Sequence, residues 1–124
     1  MNRDAAGWIR KLKLKPHPEG GWYAETYRST DLWPADALPA RYRGARAAST
    51  AIYYLLEGRQ ISALHRLASD ELWFFHAGAT LRLDLIGPGG EARMLRLGTR
   101  RDHDARLPQA VLPCLLYTSP SPRD

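Results

Sequence analysis

The stretch "SALHRLASDELWFFHAG", residues 62–78, decides how this chain is read. It sets His65 and Glu71 inside an otherwise apolar and aromatic run, interrupted by Ala68, Ser69 and Asp70. Ser and Asp favour turns because their short side chains hydrogen-bond the nearby backbone. We read a hairpin with its turn at residues 68–70, which puts His65 and Glu71 on adjacent strands, each near the turn. Strand alternation then places Leu67 on the face of His65, and Trp73 and Phe75 on the face of Glu71. If both ionisable groups point inward, they share a mostly apolar, aromatic pocket.

The flanking sequence repeats the strand pattern. "STAIYYLLEG", residues 49–58, is rich in aromatic and β-branched residues and closes on Gly58. "TLRLDLIG" and "EARMLRLG" alternate on either side of Gly87-Pro88-Gly89-Gly90, a strong turn signal. A last short strand is expected over Gln109 to Leu112. Upstream, Trp22 to Tyr27 alternate, with Tyr23, Glu25 and Tyr27 on one face and Trp22, Ala24 and Thr26 on the other. Residues 29–44 carry two prolines and no sustained periodicity, so they read as a long surface loop. Before all of these, Asp4 is placed to cap a short helix that shows Trp8, Ile9 and Leu12 on one face and ends at Pro16. One helix followed by six or seven short antiparallel strands is the pattern of an all-β sandwich or small barrel.

Composition agrees with one soluble domain. A length of 124 residues allows one core, and 44% apolar with 25% charged residues is ordinary for a globular protein. Cys114 is the only cysteine, so no disulfide or cysteine-zinc cluster forms within the chain. No apolar run is long enough for a signal peptide core or a membrane span, and a cytoplasmic location without membrane partners is expected. The net charge of +5 rests on 15 arginines and three lysines. The arginines are scattered and form no continuous stripe with interleaved aromatics, so nucleic acid is not the expected partner; an anionic small ligand suits them better.

The spacing of Gly58, His65, Leu67, Glu71 and Gly78 resembles the first motif of the cupin superfamily, with Leu67 at the position of its second histidine. "HPEGGWYAETYRS" at residues 17–29, "TAIYYLLEG", "SALHRLASDELWFFHAG" and "LDLIGPGG" resemble a narrower cupin family of unassigned function, over most of residues 10–113. The resemblance implies a cupin jelly-roll β-barrel with a ligand pocket, commonly homodimeric. Metal-binding cupins use both motif histidines, the glutamate and a histidine of a second motif. Here Leu67 cannot ligate and no histidine follows His103, so neither metal nor another cofactor is expected. His17, His76 and His103 would serve only in a different geometry.

Metal-free proton transfer, as in the sugar-nucleotide epimerases that this barrel also hosts, is the sharper expectation. His65 is then the base, Glu71 orients its imidazole, and Tyr27 is the acid, with Tyr53 or Tyr54 as substitutes. His17, Glu19, Tyr23, Tyr53, Arg66 and Trp73 are candidate ligand contacts, with Arg66 or Arg28 meeting anionic groups. Each residue also has a plainer reading. His65 with Glu71 is then a buried polar pair that satisfies its own hydrogen bonds; residues 17–21 are a turn; the tyrosines and tryptophans are core or interface aromatics; Arg66, of opposite parity to His65, points outward; and Glu25 is an ion-pair partner. A non-catalytic ligand-binding cupin is the alternative function, and a metal-dependent cupin enzyme the less favoured one.

The end of the chain changes character. "QAVLP" looks like the start of the second cupin motif, but "CLLYTSPSPRD", residues 114–124, is Ser/Pro-rich and resembles adaptor or vector read-through. Residues 1–113 are therefore read as a partial cupin domain, truncated at its C-terminal end, and 114–124 as a non-native tail. The plainer reading is a genuine disordered tail.

Overall fold

The helix ends before Pro16, through a device in its own last turn. In the computed structural model, which describes residues 3–99 and 106–121, the helix α1 spans Arg3–Leu12. Lys13 then takes a left-handed φ of 56°, and the Leu14 and Lys13 N–H groups donate to Ile9 (3.0 Å) and Arg10 (3.4 Å). This pairing satisfies carbonyls that a helix end leaves open. Asp4 lies inside the first turn and does not precede it, so it complements the helix dipole without capping the helix. Ala5 and Leu14 are buried, whereas Trp8 is 41% exposed. The Lys11 ammonium sits 5.6 Å from its ring centroid, so Trp8 lies off the apolar face the sequence suggested.

Contacts divide the chain into two units. The first takes the residues up to His17 and those from Trp22 to Leu55. In it, β1 (Lys15–Pro16) pairs with β2 (Trp22–Arg28), which pairs antiparallel with β5 (Thr50–Leu55). The β2–β5 register shifts between Glu25 and Tyr27: Glu25 lies opposite Ile52 and Tyr27 opposite Ala51. A bulge of this kind flips the alternation, so Tyr27 leaves the face of Tyr23 and Glu25. The expected long loop carries β3 (Leu32–Trp33), which forms a small ribbon with β4 (Arg46–Ala47) just beyond it.

The second unit takes Pro18–Gly21 and the chain from Leu56 onward. One sheet runs in the order β10-β9-β8-β12-β6, with β6 at His65–Arg66, β8 at Leu81–Ile86, β9 at Ala92–Leu97, β10 at Arg106–Leu107 and β12 at Tyr117–Ser121. A second pairs β7 (Glu71–Phe74) with β11 (Gln109–Leu112). The core follows from alternation: Leu83, Leu85, Leu97, Ala110 and Leu112 are buried, and Trp73, Phe75, Leu81 and Leu95 pack against them. Complete burial of a leucine such as Leu83 contributes about 1.5–3 kcal/mol.

Two expectations change here. Residues 65–74 do not form a hairpin, because β6 pairs with β12 and β7 with β11; residues 67–70 connect two separate sheets. The Ser/Pro-rich segment also contains a strand, with Tyr117–Ser121 lying between β8 and β6 and Thr118 only 3% exposed. Pro120 is tolerated there because its carbonyl faces Ser62, accepting that N–H at 3.0 Å. In an antiparallel ladder the backbone N points the same way, so its missing donor falls on the side away from β8.

Candidate functional site

Three ionisable side chains of the second unit converge. Glu19 arrives on the strap Pro18–Gly21, which is bound tightly to residues 61–63. The Ala63 N–H donates to the Glu19 carbonyl at 2.7 Å, and a Cβ at Gly20 would run into the Ile61 carbonyl. Gly20 also has a φ of 113°, a conformation L side chains rarely adopt, so glycine is required on both counts. The strap delivers the Glu19 Oε2 atom to within 2.8 Å of His65 Nδ1. The same nitrogen lies 2.8 Å from the Ala63 carbonyl, and the other, Nε2, is 3.5 Å from the Thr118 hydroxyl. The side chains of His65 and Glu19 are 16% and 38% exposed, so the pair is sheltered yet reachable.

Glu71 reaches the same cluster from β7. It lies opposite Leu112 in the β7–β11 pair and shares its face with Trp73, the inner one, while Leu72 and Phe74 are exposed. Burial raises the Glu71 carboxyl pKa above the ordinary value of 4.5; the His65 charge and a hydrogen bond from Trp73 oppose this, and the neighbouring Glu19 carboxylate adds to it. Glu71 therefore keeps its proton to higher pH than a solvated glutamate.

The structure brings together Glu19, His65, Glu71 and Trp73. Glu71 does not take the orienting role expected of it, because Glu19 and Ala63 occupy His65 Nδ1 and Glu71 acts on the ring through charge. Arg66 lies beside His65 in β6 with its guanidinium 5.4 Å from the Tyr117 ring centroid. Tyr117 and Thr118 oppose Arg66 and His65 in turn, so Arg66 and Tyr117 share the face opposite to that of His65. His17, Tyr23, Tyr27 and Tyr53 belong to the first unit. His17 there packs edge-on against Tyr23 (4.9 Å) and Tyr54 (5.2 Å). Tyr53 opposes Ala24, off the face of Tyr23, and Tyr27 is 55% exposed. Glu25 pairs with Arg28 at 2.7 Å. Thr118 escaped the sequence reading because its segment looked foreign to the domain.

A cupin metal does not fit these donors. Position 67 offers only a leucine, and His76 is exposed just beyond the end of β7. Among the described residues, no group of three His, Cys, Asp or Glu side chains is arranged to hold a metal ion. His103 lies outside the described residues. Among the described residues, no helix is long and apolar enough to cross a membrane.

Comparison with known proteins places this geometry in a family. A protein from Shewanella oneidensis, solved by X-ray crystallography, is similar at 31% identity and a TM-score of 0.83, with all of this chain and 71% of that one covered. A hypothetical protein from Leishmania major is similar at 35% identity and a TM-score of 0.81, covering 94% of this chain and 69% of that one. No curated protein matches. The family model described as Cupin superfamily (DUF985) matches residues 6–122. With that match over most of its length, the chain belongs to the DUF985 family of the cupin superfamily.

Proposed function

We propose that this cupin binds a small sugar-like or anionic molecule and moves a proton on it without a metal, as an isomerase or epimerase. The observation that carries this reading is the cluster itself: one partly accessible histidine between a carboxylate at hydrogen-bond distance and a carboxyl biased towards its protonated form. Such a pair of environments separates a base from an acid. His65 accepts the proton. Glu71, with its pKa raised by burial, is the acid of this cluster; Tyr117, the tyrosine of the second unit, faces away from His65.

A ligand-binding module without chemistry uses the same groups and differs in one outcome. The test is a thermal-shift screen of hexose phosphates and nucleotide sugars, followed by turnover assays on any binder with wild type and His65→Ala. Turnover lost in His65→Ala with binding kept supports proton transfer. Binding without turnover in the wild type favours the module, and no binding contradicts both. The reading includes a homodimer, since Leu72, Phe74 and Val111 leave an apolar outer face on β7 and β11. Light scattering of a monodisperse sample at the monomer mass would count against it.

A further inference from the structure

We infer that the strap Pro18–Gly21 fixes the tautomer of His65, with Glu19 as its positioning residue, so that Nε2 meets the ligand as a hydrogen-bond and proton acceptor. A neutral imidazole carries one proton, and the partners of its two nitrogens decide where it sits. Nδ1 faces two groups that only accept, the Glu19 carboxylate oxygen and the Ala63 carbonyl oxygen, each at 2.8 Å. The proton therefore resides on Nδ1, shared between them, and Nε2 keeps its lone pair. The strap is built to hold this arrangement. Its backbone bond from Ala63 N–H to the Glu19 carbonyl and its close approach at Gly20 fix the main chain at Glu19 and immediately after it.

The consequence is a restriction on the ligand. Whatever meets Nε2 must present a donor, a hydroxyl, an amine or an acidic C–H, because a carboxylate or phosphate oxygen would oppose the lone pair. The Thr118 hydroxyl, 3.5 Å away, is at the outer limit of a hydrogen bond, so the Nε2 lone pair is only weakly engaged by the protein. In the proton-transfer reading, the C–H or O–H bond of the ligand breaks and its proton forms an N–H bond at Nε2. The electron pair stays on the ligand until a second proton arrives from Glu71. Polyhydroxylated carbonyl compounds supply both kinds of donor. This restriction rests on the proposed function; the tautomer does not.

The deciding measurement is a long-range proton–nitrogen correlation spectrum of the full chain labelled with nitrogen-15 histidine, at about pH 8, where an ordinary imidazole is neutral. We expect a protonated Nδ1 and an unprotonated Nε2 at His65 in the wild type, and a several-fold rise in the Nε2–H share in Glu19→Ala. A wild-type ring protonated on Nε2, or an unchanged tautomer in Glu19→Ala, overturns the inference. If Glu19→Ala fails to fold, the wild-type spectrum decides alone. A correct tautomer with no turnover on any binder removes the enzymatic reading and leaves the positioning role standing.

Discussion

His65 and Glu19, far apart in the chain, meet through Nδ1 and a carboxylate oxygen 2.8 Å apart. The contact depends on backbone that only glycine permits, since the strap carrying Glu19 turns at Gly20 and Gly21, both with positive φ.

The turn can be tested first. Gly20→Ala is expected to destabilise by at least about 1–3 kcal/mol, because a Cβ there meets backbone as well as an unfavourable φ. Gly58→Ala, where φ is 57° and nothing lies near, should cost about 1–2 kcal/mol. Urea denaturation of both variants checks the order; equal losses would mean that the strap is not clamped at Gly20.

Glu71 makes stability depend on pH. A carboxyl whose pKa is raised by folding binds its proton more tightly in the folded state, so its contribution is complete below the unfolded value near 4.5. That contribution is lost as pH rises through the higher folded value. The melting temperature should therefore fall over this window in the wild type and fall less in Glu71→Gln. Parallel curves from calorimetry would show that Glu71 is not held protonated.

Metal removal should change little. Among the described residues, the donors at His65 do not form a cupin ligand set, so dialysis of the full chain against a chelator is expected to leave its melting temperature within about 1 °C. Binding of a ligand at 100 times its dissociation constant stabilises by about 2.7 kcal/mol, so a bound structural metal would announce itself as a fall of several degrees.

Some of this was legible in the sequence. The alternation of Leu81, Leu83 and Leu85, the Gly87–Gly90 turn and the inward parity of Glu71 and Trp73 all carry through to the structure. These are local properties, set by a period of two. The hairpin expected at residues 68–70 was not legible, because β6 and β7 find partners in β12 and β11, remote in sequence. Tyr27 changed face through a one-residue bulge at Thr26 that leaves no clear mark in alternation. Glu19 was picked out as a ligand contact, but its bond to His65 depends on the strap's path, which two glycines permit without specifying.

The most direct measurement of the central claim is solvent-deuterium incorporation. Wild-type protein is incubated in heavy water with each hexose phosphate or nucleotide sugar that binds, and carbon-bound deuterium is followed by mass spectrometry. Proton transfer by His65 predicts incorporation at one C–H position in the wild type and a loss of about 100-fold or more in His65→Ala, the usual range for removing a general base. Incorporation that persists in His65→Ala, or its absence with every binder, would contradict the account.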